Sequence, residues 1–171
     1  MAVIRLNTEI RAPIERCFDL SLSVDIHMAS TAKTNERAIA GVTSGLMRLG
    51  DRVTWRAKHL GVVQDLTSTI SYLERPRMFV SEMVKGAFKR LYHEHIFEAR
   101  GDLTTMIDHF EYEAPLGPLG RWAEKLFLTS YMRGFIIERN ETIKRVAESD
   151  EWMAFVSSSH VKPSLLQADQ R

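Results

Sequence analysis

The chain has 171 residues, of which 44% are hydrophobic and 26% are charged, and its formal net charge is +1. This composition is typical of a globular protein with one sizeable core, and so small a net charge argues against a nucleic-acid or membrane-surface partner. The single cysteine, Cys17, excludes an internal disulfide and a zinc site built from cysteines.

The sequence also lacks the features of a membrane or secreted protein. Its apolar runs all fall short of the roughly 20 residues that a membrane-spanning helix needs, and its N-terminus has no apolar stretch typical of a signal peptide. We therefore expect a cytoplasmic protein with no integral membrane segment.

The N-terminal part predicts a strand, two short helices and a weak strand. Residues 3–11 alternate between apolar and polar side chains, which is typical of a strand with one face in water. Pro13 can begin a helix over residues 14–20, because the first helical position needs no amide donor. A second short helix is predicted over residues 24–30, and a weak strand over residues 34–41.

The middle of the chain predicts an antiparallel meander. Alternating segments are separated by short stretches rich in glycine, proline and aspartate, which is the pattern of strands joined by turns. With the earlier strands these segments give a sheet of about seven strands. The predicted strands of the meander cover residues 51–59, 62–73, 78–85, 88–99 and 103–113.

The last regular segment predicts one long helix over residues 119–149, beginning after Gly117 and Pro118. At about 1.5 Å per residue such a helix is roughly 45 Å long, so it needs a large apolar surface to pack against, and the sheet is the obvious candidate. Residues 150–171 predict a short appended helix followed by a loose tail, which leaves residues 1–149 as the domain. The predicted buried face of the long helix consists of Leu119, Ala123, Leu126, Phe127, Ser130, Tyr131, Gly134 and Ile137.

The hairpin around Gly101 and Asp102 carries the most informative polar groups. A two-residue turn there sets the register of the two strands, since a slip by one residue would move every side chain to the other face. One face of the hairpin then holds the larger apolar groups and should meet the long helix. Its predicted pairs are Leu91 with Tyr112, His93 with Phe110, His95 with Asp108, and Phe97 with Met106.

Two histidines and an aspartate on a buried face allow three interpretations. They can be a satisfied internal cluster without further function, or polar groups that orient a ligand in a partly hydrated cavity. They can also perform chemistry, either as a His–Asp general base or as a His-x-His metal site, although His59 as a third ligand would lie several strands away. In a hydrated pocket we expect Asp108 to raise the pKa of His95 above the roughly 6.5 of a free imidazole.

The order of these elements resembles the START-like, helix-grip superfamily (SRPBCC), and in particular its polyketide cyclase/dehydrase-like ligand-binding branch. The resemblance implies an α+β fold in which a strongly curved antiparallel sheet wraps around the long helix, with a tunnel between them for a small apolar molecule such as a lipid, sterol or polyketide. The superfamily shares no catalytic residue set, so none is carried over. The similar stretches are residues 50–59 (GDRVTWRAKH), 79–88 (FVSEMVKGAF), 93–97 (HEHIF) and 112–117 (YEAPLG).

The favoured interpretation is a carrier or binding module for a small, largely hydrophobic ligand, with no cofactor and no metal. The polar contacts are expected from His59, His93, His95, Asp108 and Tyr112, and the apolar wall from Trp55, Leu66, Ile70, Phe79, Met83, Phe97, Met106, Leu126 and Ser130.

Three further possibilities remain open. A cyclase or dehydratase would use His95 and Asp108 as the general base and Tyr112 to stabilise an enolate. A protein-interaction module, as in START-like co-chaperones, would need an exposed apolar patch near Trp152 and Phe155. A homodimer is possible in either case.

Overall fold

A seven-stranded antiparallel sheet forms one layer of the molecule, and helices cover its inner face. The computed structural model describes residues 1–59, 61–115, 117, 122 and 127–156. Within these residues the strand order is β1-β7-β6-β5-β4-β3-β2, so the sheet is a meander completed by the pairing of β1 with β7. The strands are β1 (Ala2–Ile10), β2 (Arg37–Gly41), β3 (Arg52–His59), β4 (Val62–Glu74), β5 (Met78–Lys85), β6 (Arg90–Arg100) and β7 (Leu103–Glu113).

The helices are α1 (Ile14–Leu22), α2 (Val24–Ser30), α3 (Thr129–Ala147) and α4 (Trp152–Val156), with a 3-10 turn at Ala32–Thr34. Ser23 separates α1 from α2 and caps the second helix, because its hydroxyl accepts a hydrogen bond from the Ile26 amide at 3.3 Å. The predicted helix-grip architecture, with its seven strands, two short helices and long C-terminal helix, is confirmed.

The long helix extends over Thr129–Ala147, with a π-helical turn at residues 127–128 just before it. Residues 119–121 and 123–126, in the first part of the predicted helix, lie outside the described residues, so that part stays a prediction. Among the described residues, the predicted buried face was wrong at Phe127, which is 48% exposed, at Ile137, which is 43% exposed, and at Ser130 and Gly134, which are exposed, while Tyr131 is partly buried. The buried residues of α3 are Met132, Ile136, Arg139, Asn140, Ile143, Val146 and Ala147.

The β6–β7 hairpin has the predicted register. His95 lies opposite Asp108, Phe97 lies opposite Met106, and the pairing continues to the turn at Gly101 and Asp102. Gly101 has a φ of 65°, a left-handed conformation that glycine adopts without strain. The two-residue turn therefore determines which side chains of this hairpin face the helices.

Two apolar clusters hold the helices on the sheet. In the first, α1 inserts Phe18 between Phe79 and Phe97, with ring centroids 5.5 and 5.3 Å apart in edge-to-face contacts. In the second, Met132 and Ile136 of α3 pack against β1 and β7. None of the described helices is long and apolar enough to cross a membrane.

The short α4 packs against the first cluster. Val156 is buried, Trp152 and Phe155 are partly buried against the cluster, and the guanidinium of Arg16 lies 4.4 Å from the centre of the Trp152 ring. The exposed apolar patch that a protein-interaction module would need near Trp152 and Phe155 is therefore not formed by these two residues.

Candidate functional site

A cavity of about 380 Å³ lies between the sheet and helices α2 and α3. Its wall is mostly apolar, with side chains from β3, β4, β5 and β6 on one side and from α3 on the other. A volume of this size falls in the range of pockets that hold small organic ligands. Of the residues predicted to form the site, those that line the cavity are Trp55, His59, Leu66, Ile70, Phe79, His93 and His95.

The other predicted wall residues of the sheet are packed elsewhere. Phe97 and Met106 lie beneath α1, where the ring of Phe97 meets Phe18 and the Met106 sulfur lies 3.4 Å from the Ser21 hydroxyl. The short helices thus cover that end of the hairpin. Met83 is partly buried and packs beside Gly86, where an added Cβ would come within 2.8 Å of its sulfur.

Tyr112 is fully buried under α3, and its hydroxyl lies 2.9 Å from the Thr129 hydroxyl. It is therefore a packing residue between β7 and α3 and does not line the cavity. Ser130 faces away from the sheet because the buried face of α3 is rotated from the predicted one. Leu126 lies outside the described residues.

Asp108 is the centre of a buried polar cluster behind the cavity wall. Its side chain has no exposed surface, and its Oδ1 lies 2.7 Å from His93 Nε2. Asn140 donates to Oδ2 at 2.6 Å and to the Thr8 hydroxyl at 3.2 Å. His95 Nδ1 approaches the same Oδ1 to 3.0 Å without forming a well-aligned hydrogen bond. The predicted His95–Asp108 contact thus exists, while the well-formed hydrogen bond belongs to His93.

The electrostatics of this cluster favour an ionised aspartate and neutral histidines. Burial would raise the pKa of Asp108, but the contacts with His93 and His95 hold that pKa well below its usual value. Burial lowers the pKa of His93 and lowers that of His95 well below 6.5, against the attraction of Asp108. Asp108 does raise the pKa of His95, but loss of hydration outweighs the carboxylate, so the net shift is opposite to the one expected for a hydrated pocket. An ionised Asp108 only accepts, so His93 donates through Nε2–H.

Arg139 brings a buried cation from α3 into the cavity wall. Its Nη2 donates to the Ser21 carbonyl at 3.0 Å. Its Nη1 lies 4.0 Å from Asp108 Oδ1 and forms no hydrogen bond with any described residue. Burial lowers the pKa of the guanidinium, while Asp108 and Glu36 raise it. The arrangement leaves a hydrogen-bond donor without an acceptor beside an apolar cavity.

A second polar group of the wall joins α2 to the segment before β2. His27 Nε2 lies 3.3 Å from Glu36 Oε2, and the His27 ring stacks on Trp55 at a centroid distance of 4.1 Å. Burial raises the pKa of Glu36, but the neighbouring His27 outweighs that effect and holds the pKa below its usual value. Glu36 is therefore ionised, and it is the second carboxylate, after Asp108, that attracts the Arg139 guanidinium.

His59 lies at the end of β3 and contacts α3. Its Nδ1 is 2.8 Å from the Tyr131 hydroxyl, and its ring meets Tyr131 and Phe135 edge-on. Burial lowers the pKa of His59, and the attraction of Glu36 opposes that shift. This contact ties the predicted polar residue of β3 to the helix across the cavity.

A metal ion is the remaining possibility for the cluster. Among the described residues, His93, His95 and Asp108 offer three ligand atoms within 4.8 Å of one another. An ion bound there would lie next to the Arg139 guanidinium, which is 4.0 Å from Asp108 Oδ1. Repulsion between the two cations opposes binding in so buried a place. The cluster therefore fits a polar group of a ligand better than a cation.

Polar residues of the cavity region that sequence reasoning missed include His27, Glu36, Arg139 and Asn140, which form the buried polar contacts described above. Arg139 and Asn140 follow Ile136 by three and four residues and precede Ile143 by four and three, so this spacing was the available signal. The signal was overlooked because charged and amide side chains on a helix usually face water. His27 and Glu36 carry no local pattern that distinguishes them.

No protein-family model matches this sequence, and no curated protein is similar to it in sequence. Solved structures are similar in fold. The protein TTHA0849 from Thermus thermophilus has a TM-score of 0.69 at 16% identity, over 84% of this chain and 95% of that chain. A START superfamily protein from Mycobacterium smegmatis has a TM-score of 0.64 at 11% identity, over 84% and 97% of the two chains.

A plant protein is similar over the same extent. Major latex-like protein 151 from Panax ginseng has a TM-score of 0.63 at 15% identity, over 86% of this chain and 98% of that chain. In each case the similarity includes most of both chains, so it concerns the whole architecture and not a shared fragment.

Proposed function

We propose that this protein, whose fold is the helix-grip fold of START-like and major latex-like proteins, binds a small, largely apolar molecule in the cavity between the sheet and α3. The observation that carries the proposal is the cavity wall. Apolar side chains such as Trp55, Ile70 and Phe79 make up most of its surface, and polar groups contribute the smaller part. This combination is typical of sites that hold an apolar ligand and fix its orientation.

The first test measures uptake of a neutral apolar probe, N-phenyl-1-naphthylamine, whose fluorescence rises in apolar surroundings. We expect saturable uptake by the wild-type protein. In Ala57→Phe the larger side chain would occupy cavity space, because Ala57 is 5% exposed and lines the wall, and we expect the affinity to fall by about tenfold or more.

The matched control is Ala99→Phe, at an exposed position of β6, which should bind the probe as the wild type does. Equal affinities of all three proteins, or an absence of saturable uptake, would contradict the proposal. Separately, native mass spectrometry of protein purified from its own cells would identify a retained molecule by its mass.

An enzyme of the cyclase or dehydratase kind remains the second candidate, and one observation favours it. His93 lines the cavity and is held by Asp108 at 2.7 Å, with its pKa lowered by burial, so it is a neutral base beside a carboxylate. His93 would thus replace His95 as the base. Tyr112 is packed under α3, so stabilisation of an enolate would fall to Arg139. Asp108→Asn should then abolish turnover of a substrate while probe uptake persists.

A further inference from the structure

Arg139 is a buried cation whose hydrogen-bond donors are only partly satisfied by the packing around it. It is 6% exposed, and of its two terminal nitrogens Nη2 is satisfied by the Ser21 carbonyl. Nη1 is itself buried and forms no hydrogen bond with the described residues, and the Arg139 side chain lines the cavity. A buried donor left unpaired costs free energy, and structures rarely keep one without a partner or a functional reason.

The charge of Arg139, in contrast, is already balanced. Asp108 Oδ1 lies 4.0 Å from Nη1, and Glu36 also attracts the guanidinium. Asp108 takes its hydrogen bonds from His93 and Asn140. The guanidinium therefore has counter-charges nearby but no acceptor for Nη1 among the described side chains.

We propose that the molecule bound in the cavity carries a neutral acceptor oxygen, such as the carbonyl oxygen of a ketone, and that this oxygen accepts a hydrogen bond from the Arg139 guanidinium. The inference rests on the proposed function and adds the chemical class of the ligand. The ligand is an apolar body with an oxygen at the end that faces α3.

A neutral oxygen fits better than a carboxylate because of the two acidic groups beside Arg139. The pKa values of Asp108 and Glu36 are both held below their usual range, so both side chains are ionised. A ligand carboxylate would meet two like charges in a region of low dielectric constant, where repulsion is strong. A carbonyl oxygen accepts the hydrogen bond without adding charge.

Three compounds on one scaffold separate these possibilities, each measured by displacement of N-phenyl-1-naphthylamine at pH 8. They are 2-acetylnaphthalene, its isostere 2-isopropenylnaphthalene, in which CH₂ replaces the oxygen, and 2-naphthoate. We expect the ketone to bind at least about tenfold more tightly than the alkene, since the ketone gains a hydrogen bond from the charged Arg139. We expect 2-naphthoate to bind more weakly than the ketone.

Arg139→Met removes the donor and keeps an unbranched side chain. We expect this variant to lose the preference for the ketone over the alkene while it still takes up N-phenyl-1-naphthylamine. The control is Arg145→Met on the same helix, where the side chain is exposed and pairs with Glu151 at 2.7 Å, and it should keep the wild-type preference. If Arg139→Met does not fold, the comparison of ketone, alkene and acid on the wild type decides the question.

The outcomes distinguish the two proposals. A wild-type protein that does not take up N-phenyl-1-naphthylamine would overturn the proposed function. Uptake of that probe with no preference for the ketone over the alkene would overturn the acceptor inference alone. Tighter binding of 2-naphthoate than of the ketone would show that Arg139 takes an anion, which also overturns it, and so would a ketone preference that survives in Arg139→Met.

Discussion

Asp108 and His95 show how strand register sets which side chains meet and how burial sets their ionisation. Asp108 and His95 are opposed because the hairpin turns in two residues, and that much follows from the sequence. Their ionisation does not follow, because it depends on how completely the helices exclude water. Burial keeps the pKa of His95 well below 6.5, although a carboxylate oxygen lies 3.0 Å away.

The neutral histidines predict a loss of stability in mild acid. The pKa values of His93 and His95 are lower in the folded protein than the roughly 6.5 of an unfolded chain. Their contribution to stability is thus fully present above about pH 6.5. It is lost as the pH falls below that value, because only the unfolded chain takes up the protons, at up to about 1.4 kcal/mol per pH unit for each group.

Urea denaturation between pH 7.5 and 5.5 measures this slope. In His95→Gln, which cannot titrate, we expect the fall in unfolding free energy to be smaller by up to about 1.4 kcal/mol per pH unit in the lower part of that range. Asp108, with its lowered pKa, contributes in a separate window, below about pH 4. A wild-type stability that stays constant from pH 7.5 to 5.5 would contradict the assignment of neutral buried histidines.

At the scale of elements, the strands were predicted better than the face of the long helix. Alternation along β3 and β7 has a period of two and survives small errors at the ends. In α3 the polar Arg139 and Asn140 interrupt the buried stripe, so the sequence favoured a neighbouring stripe that ends at the exposed Ile137. The two shifts of register between β4 and β5, at Thr67–Ser68 and at Ile70–Tyr72, were not predicted either, since no residue there has the local signature of a bulge.

Neighbouring isoleucines test the observed face of α3. Ile136 is 2% exposed and Ile137 is 43% exposed. We expect Ile136→Ala to lower the unfolding free energy by about 2–5 kcal/mol, and Ile137→Ala, the matched control, to lower it by less than about 1 kcal/mol. Chemical denaturation of both variants gives the comparison. The reverse order would restore the face that the sequence first indicated.

At the scale of the whole molecule, helices from both ends of the described chain share one apolar cluster with the sheet. Side chains of α1, β3 and α3 belong to the same apolar cluster, and Val156 of α4 extends it beyond residue 149. The sequence indicated a domain boundary near that residue because the chain becomes polar soon afterwards. The packing of Trp152 and Phe155 associates α4 with the domain.

We expect a single cooperative unfolding transition that includes α4, since its apolar residues have no separate core. Urea curves followed by far-ultraviolet circular dichroism and by tryptophan fluorescence should coincide, because Trp55 and Trp152 both pack against the same cluster. A fluorescence change that precedes the loss of helix signal would instead identify α4 as a unit that detaches first.

The pairing of β1 with β7 has a consequence for synthesis of the chain. Ile4 and Phe110 are partners in the finished sheet, with more than a hundred residues between them. At about 5–20 residues per second, a ribosome takes roughly 5–20 s to make that interval. Throughout it, β1 has no partner strand, and its inward side chains, among them Ile4, have no β7 beside them. The nascent chain therefore keeps the apolar face of β1 unpaired until its last strand emerges.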